Sequence, residues 1–139
     1  MNFLPEDDLE YLESKGIKYE LVTETLTDGT QRRAVVFPAF AFEGNLRREN
    51  DSQWIECRTC DLMIIIPAGY ATTKLDCFYS NPRLKRQDSA DPASTGAENE
   101  LFGRKWQFWS RHLDDKEWRV GIDGLSTYLS YVRRELRSA

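Results

Sequence analysis

The chain has 139 residues, of which 40% are hydrophobic and 30% charged, a length and balance that give one sizeable core and a solvated surface rather than a disordered or fibrous chain. Its net charge of -4 excludes a general electrostatic attraction to nucleic acid, which needs clustered Lys and Arg, and points to a protein partner. The longest apolar run, Leu62 to Pro67, is far short of the roughly 20 residues that span a bilayer, so no membrane role is expected. The acidic start "MNFLPEDDLE" is unlike a signal peptide, and the expected address is the cytoplasm. Three cysteines, Cys57, Cys60 and Cys77, are too few for a disulfide framework and are expected to be reduced.

In chain order, the first element is a helix. Pro5 suits a first helical position, Glu6, Asp7 and Asp8 complement the positive helix end, and Leu9 and Leu12 share a face. Gly16 stops it, with Ile17 placed to fold back onto Leu12 in a Schellman motif. The alternation of Tyr19, Leu21 and Thr23, the turn pair Asp28-Gly29 and the β-rich Ala34 to Phe37 predict a hairpin. Residues 43 to 53 are polar and turn-forming. The run Leu62 to Ile66 then reads as a central strand with two faces to bury, ended by Pro67, and Lys74 to Tyr79 reads as a fourth strand.

A polar stretch at about 83 to 100 has almost no apolar residues and is expected to be a long loop. "KWQFWSRH", residues 105 to 112, is expected to pack Trp106 and Trp109 as a wall under the sheet, with Ser110, Arg111 and His112 in a hydrogen-bonded turn. Ile122, Leu125, Leu129, Val132 and Leu136 recur at steps of three and four behind Asp123 as a cap, which predicts a closing amphipathic helix. The expected whole is a single α+β domain over 1–139, a four-stranded antiparallel meander with an N-terminal and a C-terminal helix.

Few side chains carry chemistry. Cys57-Arg-Thr-Cys60 has half-zinc-site spacing, but a closed site would need both Cys77 and His112 as well. Cys77 lies in a predicted strand, where a free cysteine behaves as a small hydrophobe, so no metal and no cofactor are expected. Ser110 and His112, the chain's single histidine, stand two apart and would share one side of a strand. A serine nucleophile needs a base aligned by a third group, for which Asp114, Asp115 or Asp123 would have to be recruited. The basic run Arg83 to Arg86 reads as a solvated loop able to steer an acidic partner.

Pro67-Ala-Gly-Tyr70 closing a strand, a following strand ending at Asn81-Pro82, a long loop, "GRKWQFWSRH" and "WRVGIDGLSTYLSYVRREL" together resemble the ubiquitin-conjugating-enzyme (UBC) superfamily, and within it the bacterial UBC-like family E, from Leu4 to Leu136. The resemblance implies a UBC-like fold and a neighbourhood of a ubiquitin-like protein, its activating enzyme, a JAB-type protease and active conjugating enzymes. It also implies a partner-binding surface, for which Tyr70, Asn81, Pro82, Trp106, Trp109 and Arg111 are the candidates. Conventional relatives carry His-Pro-Asn after the fourth strand and a nucleophilic cysteine on the next loop, whereas this chain has Ser80-Asn81-Pro82 and no cysteine after Cys77. The leading expectation is therefore a non-catalytic pseudo-conjugating enzyme acting as an adaptor. The alternative is a conjugating enzyme with Ser110 as nucleophile and His112 as base, and a small-molecule hydrolase has no motif in support.

Overall fold

The computed structural model describes residues 3–139. Helix α1 (Glu6–Ser14) ends as its sequence requires: Gly16 adopts φ 64°, its N–H donates to Glu13 O (3.1 Å), and Ile17 N–H donates to Leu12 O (2.9 Å), which is the Schellman pairing. Strands β1 (Glu20–Thr25) and β2 (Gln31–Ala41) form the predicted hairpin, with Asp28 accepting from both the N–H and the hydroxyl of Thr30. Pro38 has no N–H to offer, and β2 shifts register between Phe37 and Phe40 where Ala39 takes φ 50° and donates its N–H to Asp61 Oδ1.

Strands β3 (Arg47–Asn50) and β4 (Gln53–Glu56) then make a separate hairpin, followed by β5 (Thr59–Ile66), β6 (Phe78–Asn81), β7 (Glu98–Leu101) and β8 (Arg104–Trp109). A 3-10 turn at Asp115–Glu117 leads to α2 (Leu125–Ser138).

The fold is α+β with an antiparallel sheet, but the sheet is not a four-stranded meander. It has six strands in the order β1-β2-β5-β6-β8-β7. The two extra strands arise where polar loop and aromatic wall were expected: β7 takes the end of the 83–100 stretch, and β8 takes most of the aromatic run. Their two-residue turn, Phe102-Gly103, has positive φ at both positions (53° and 75°), as does Asp51-Ser52 between β3 and β4 (50° and 66°).

The polar stretch is tied down by Arg83, which pairs with Asp91 and Glu98 and donates to Thr95 O. The fourth strand also begins later than expected, at Phe78 rather than Lys74. Cys77 sits at φ 60°, which no extended strand accommodates, and its N–H donates to Arg111 O (3.0 Å).

Alternation along β2, β5 and β8 sorts the core onto two faces. Val35, Phe37, Leu62, Ile64 and Trp109 join Leu12 of α1 and Leu125, Tyr128, Leu129, Val132 and Leu136 of α2 in the main core. Ala34, Val36, Met63 and Trp106 form a smaller cluster on the other face. Trp106 and Trp109 are buried as expected, at 1% and 0% exposure, and so is Trp118, at 8%, although Trp106 and Trp109 face opposite sides of the sheet rather than lining one wall.

The buried Gln107 amide is anchored by three hydrogen bonds, accepting from Leu84 N–H and the Ser80 hydroxyl and donating to Leu84 O. Ile122 departs from its expectation. It precedes α2 and is 68% exposed. Asp123 does not cap the helix backbone either, and instead accepts from the Arg119 N–H and guanidinium and from the Thr127 hydroxyl. The first N–H of α2, on Leu125, donates to Asp8 Oδ1 of α1 (3.1 Å), so the cap comes from the opposite end of the chain.

Candidate functional site

The β6–β8 pairing sets Phe78 opposite Trp109, which brings the residue before β6 and the residues after β8 to the same sheet end. Phe78 and Trp109 stack at 5.2 Å between ring centroids, and Trp109 Nε1 donates to Ser80 Oγ (2.9 Å), which fixes the register. Beyond that pair the chain 110–113 is held from three directions. Cys77 N–H and the Tyr128 hydroxyl both donate to Arg111 O, the Tyr131 hydroxyl donates to His112 O, and Lys74 Nζ donates to Leu113 O. Two of these donors come from α2, so the helix that closes the core also positions His112.

On this frame Ser110 Oγ lies 3.2 Å from His112 Nε2, and His112 Nδ1 lies 2.8 Å from Asp76 Oδ1. The expected pair is therefore adjacent, and its third group is Asp76 rather than Asp114, Asp115 or Asp123. Asp114 instead caps the 3-10 turn, Asp115 pairs with Lys74, and Asp123 is engaged with Arg119. The His112 and Asp76 side chains are 63% and 44% exposed, open to a substrate from solvent.

Cys77 lies beside them, its Sγ 3.9 Å from His112 Nδ1, but it is buried. Burial pushes its thiol up, and the charge of Asp76 adds to that, against the Arg111 backbone bond, the Ser110 hydroxyl and the Arg111 charge, which pull it down. The thiol is thus recessed and reluctant to ionise.

Of the candidate partner-binding residues, Trp109 and Arg111 flank this site, and Tyr70, Asn81, Pro82 and Trp106 lie elsewhere. Tyr70 donates its hydroxyl to Asp8 Oδ2, and burial together with that carboxylate pushes the phenol up. Asn81, at the other end of β6, donates to Lys105 O (2.8 Å) and lines a separate pocket with Pro82. Trp106 and Trp109 are interior and present no free ring face. Arg111 lies over the Trp109 ring at 5.0 Å, pairs with Glu135 at 2.9 Å and donates to Ala93 O at 2.7 Å. Cys57 and Cys60 are buried away from the other candidate ligands: among the described residues, the cluster of possible metal donors is Asp76, Cys77 and His112.

Two contributors escape the sequence reading, Asp76 and Asp8. For Asp76 a signal exists, since it is a carboxylate between Leu75 and Cys77 in an otherwise apolar run. For Asp8 there is none, because an acidic first helical turn explains it locally.

Compared with known families, the sequence matches prokaryotic E2 family E over residues 4–139. The chain belongs to this family. No curated protein and no solved structure matches it. Membership of prokaryotic E2 family E associates the chain with ubiquitin-like modification machinery in general and is consistent with its helices and antiparallel sheet. Among the described residues no helix is long and apolar enough to cross a membrane.

Proposed function

We propose that this family E protein is an acyl-carrying component of a bacterial ubiquitin-like modification pathway that works through an oxyester on Ser110. The observation that carries this is the chain of contacts Ser110 Oγ, His112 Nε2, His112 Nδ1, Asp76 Oδ1, at 3.2 Å and 2.8 Å. Asp76 accepting from Nδ1–H leaves the Nε2 lone pair facing the serine, which is the tautomer a general base needs. As Ser110 Oγ attacks the activated C-terminal carboxyl of a ubiquitin-like protein, Nε2 takes the hydroxyl proton. The new Oγ–C bond replaces the bond to the activating enzyme's adenylate or thiolate, which leaves. The imidazolium loses that proton to solvent, an acceptor amine then attacks the ester, and Nε2 takes the amine's proton and passes it to Oγ as the Oγ–C bond breaks. The expected partners are the ubiquitin-like protein and its activating enzyme, with a JAB-type protease able to remove the modification.

The adaptor reading remains as the second, favoured by the recessed Cys77 with its raised thiol, which offers no ready thioester nucleophile. One experiment separates the two. The protein is incubated with a ubiquitin-like protein, its activating enzyme and ATP, and the products are resolved with and without thiol or hydroxylamine. A thiol-resistant, hydroxylamine-sensitive adduct is expected, absent in Ser110→Ala and slowed about 100- to 10,000-fold in His112→Gln. A stable complex with no adduct supports the adaptor. A thiol-labile adduct lost in Cys77→Ala would move the nucleophile to sulfur.

A further inference from the structure

The oxyester chemistry leaves Cys77 unused, yet it is set against the two residues that activate Ser110. Asp76 Oδ1, Cys77 Sγ and His112 Nδ1 all lie within 4.8 Å of one another. Consecutive residues on an extended strand point to opposite faces. Here Cys77 takes φ 60°, outside the extended region, and the ligand atoms of Asp76 and Cys77 lie within 4.8 Å of one another. A non-glycine residue held there against its preference marks a local arrangement that the surroundings impose, here through the Cys77 N–H bond to Arg111 O.

We propose that Asp76, Cys77 and His112 form a three-ligand site for a soft divalent cation of the Zn2+ type, and that loading it switches Ser110 off. The donor set of one thiolate, one imidazole and one carboxylate matches the ligands this ion prefers, with the fourth tetrahedral position left to water. At usual bond lengths, tetrahedral ligand atoms stand about 3.5 Å apart. The separation of Sγ from Nδ1 is 3.9 Å and that of Nδ1 from Oδ1 is 2.8 Å, with Sγ and Oδ1 within 4.8 Å, so closing the site asks for small adjustments of two exposed side chains around an anchored cysteine. Binding releases the thiol proton, so affinity rises with pH. The neighbouring cation, Arg111, is matched by Glu135 at 2.9 Å and does not stand as an unpaired charge against the metal.

The regulatory half rests on the Ser110 reading. The metal takes the lone pair of Nδ1, and the remaining ring proton must then sit on Nε2. His112 can donate to Ser110 in that state but cannot accept its proton, and Asp76 is drawn from orienting the ring to holding the ion.

The test uses the full chain, freed of metal, with Zn2+ and Co2+ as probes. Calorimetry is expected to show one equivalent of Zn2+ bound, weakened by about tenfold or more in each of Cys77→Ser, Asp76→Asn and His112→Gln and unchanged in Cys57→Ser. Co2+ is expected to give a thiolate-to-cobalt charge-transfer band that Cys77→Ser lacks. Binding that survives Cys77→Ser, or that Cys57→Ser abolishes, overturns the site. With one histidine in the chain, long-range proton–nitrogen spectra read its tautomer without ambiguity. A move of the proton from Nδ1 to Nε2 on loading, with loss of the adduct and its return on chelation, supports the switch. An unchanged tautomer refutes it. Failure to form an adduct in the metal-free protein counts against the Ser110 reading alone, because calorimetry and the tautomer are measured without any reaction.

Discussion

Gly124 is the residue on which both ends of the chain converge. A Cβ there would stand 2.5 Å from Asp8 Oδ1 and 3.2 Å from the Tyr70 hydroxyl, the two groups already bonded to each other, and Asp8 also receives the Leu125 N–H. Its φ of -162° is extended backbone open to any residue, so the need for glycine here is one of space alone. Gly124→Ala is expected to cost about 1–3 kcal/mol in a denaturant titration, the usual range for overpacking a filled site. Because the obstructing atom belongs to Asp8, the penalty is coupled to it: the double variant with Asp8→Ala should be more stable than the sum of the single losses predicts. Additivity within about 0.5 kcal/mol would show that the two residues do not press on each other.

At the scale of elements, the β7–β8 hairpin is the part that local pattern did not reveal and on which the site depends. Among the described residues its strand pairing to the rest of the sheet is with β6, in register from Phe78↔Trp109 to Ser80↔Gln107, and Trp106 seals its outer face against Ala34, Val36 and Met63. Trp106 Nε1 donates to Leu101 O, and the Arg104 guanidinium lies 4.6 Å from the ring centroid, so this one ring binds both strands of the hairpin to the sheet. Trp106→Ala is expected to cost about 3–5 kcal/mol in a denaturant titration, and a loss below about 1 kcal/mol would show that the hairpin is held by something else. Helix α1 and the Asp28-Gly29 hairpin were legible because their signals lie within a few residues: an acidic first turn, a glycine stop, a turn dipeptide. The turns Asp51-Ser52 and Phe102-Gly103 place a non-glycine residue at positive φ first, which turn chemistry alone does not flag. Ser110 and His112 could be paired by their spacing, but Asp76 is 36 residues from His112 and reaches it through the pairing of β6 with β8. A third member supplied by tertiary register has no local signature, and the nearer carboxylates Asp114 and Asp115 were the more visible candidates.

Across the whole molecule, the site is suspended from α2, whose Tyr128 and Tyr131 hydroxyls hold the carbonyls of Arg111 and His112, and whose own start is fixed by Asp8 and by the Arg119–Asp123–Thr127 brace. That brace gives the fold an acid limit. The Asp123 carboxyl is drawn from its ordinary 3.8 down to about 2, first by the Arg119 side chain, then by the Arg119 N–H and the Thr127 hydroxyl. A folded-state value below the unfolded one means that the unfolded chain takes the proton first as pH falls. The contribution of Asp123 to stability is therefore complete above about pH 4, shrinks as pH falls from there, and is spent once the folded carboxyl also protonates near pH 2. Asp123→Asn removes this dependence. The stability difference between wild type and variant, measured by denaturant titration along a pH series, is expected to be constant at neutral pH and to decline across that acid window. A difference that stays flat down to about pH 2 would mean that the brace is already broken in solution. Because α2 carries the grip on His112, loosening its start is also expected to release the Cys77 amide, which donates to Arg111 O, to hydrogen exchange before the amides of the central strand β5, whose side chains are buried on both faces.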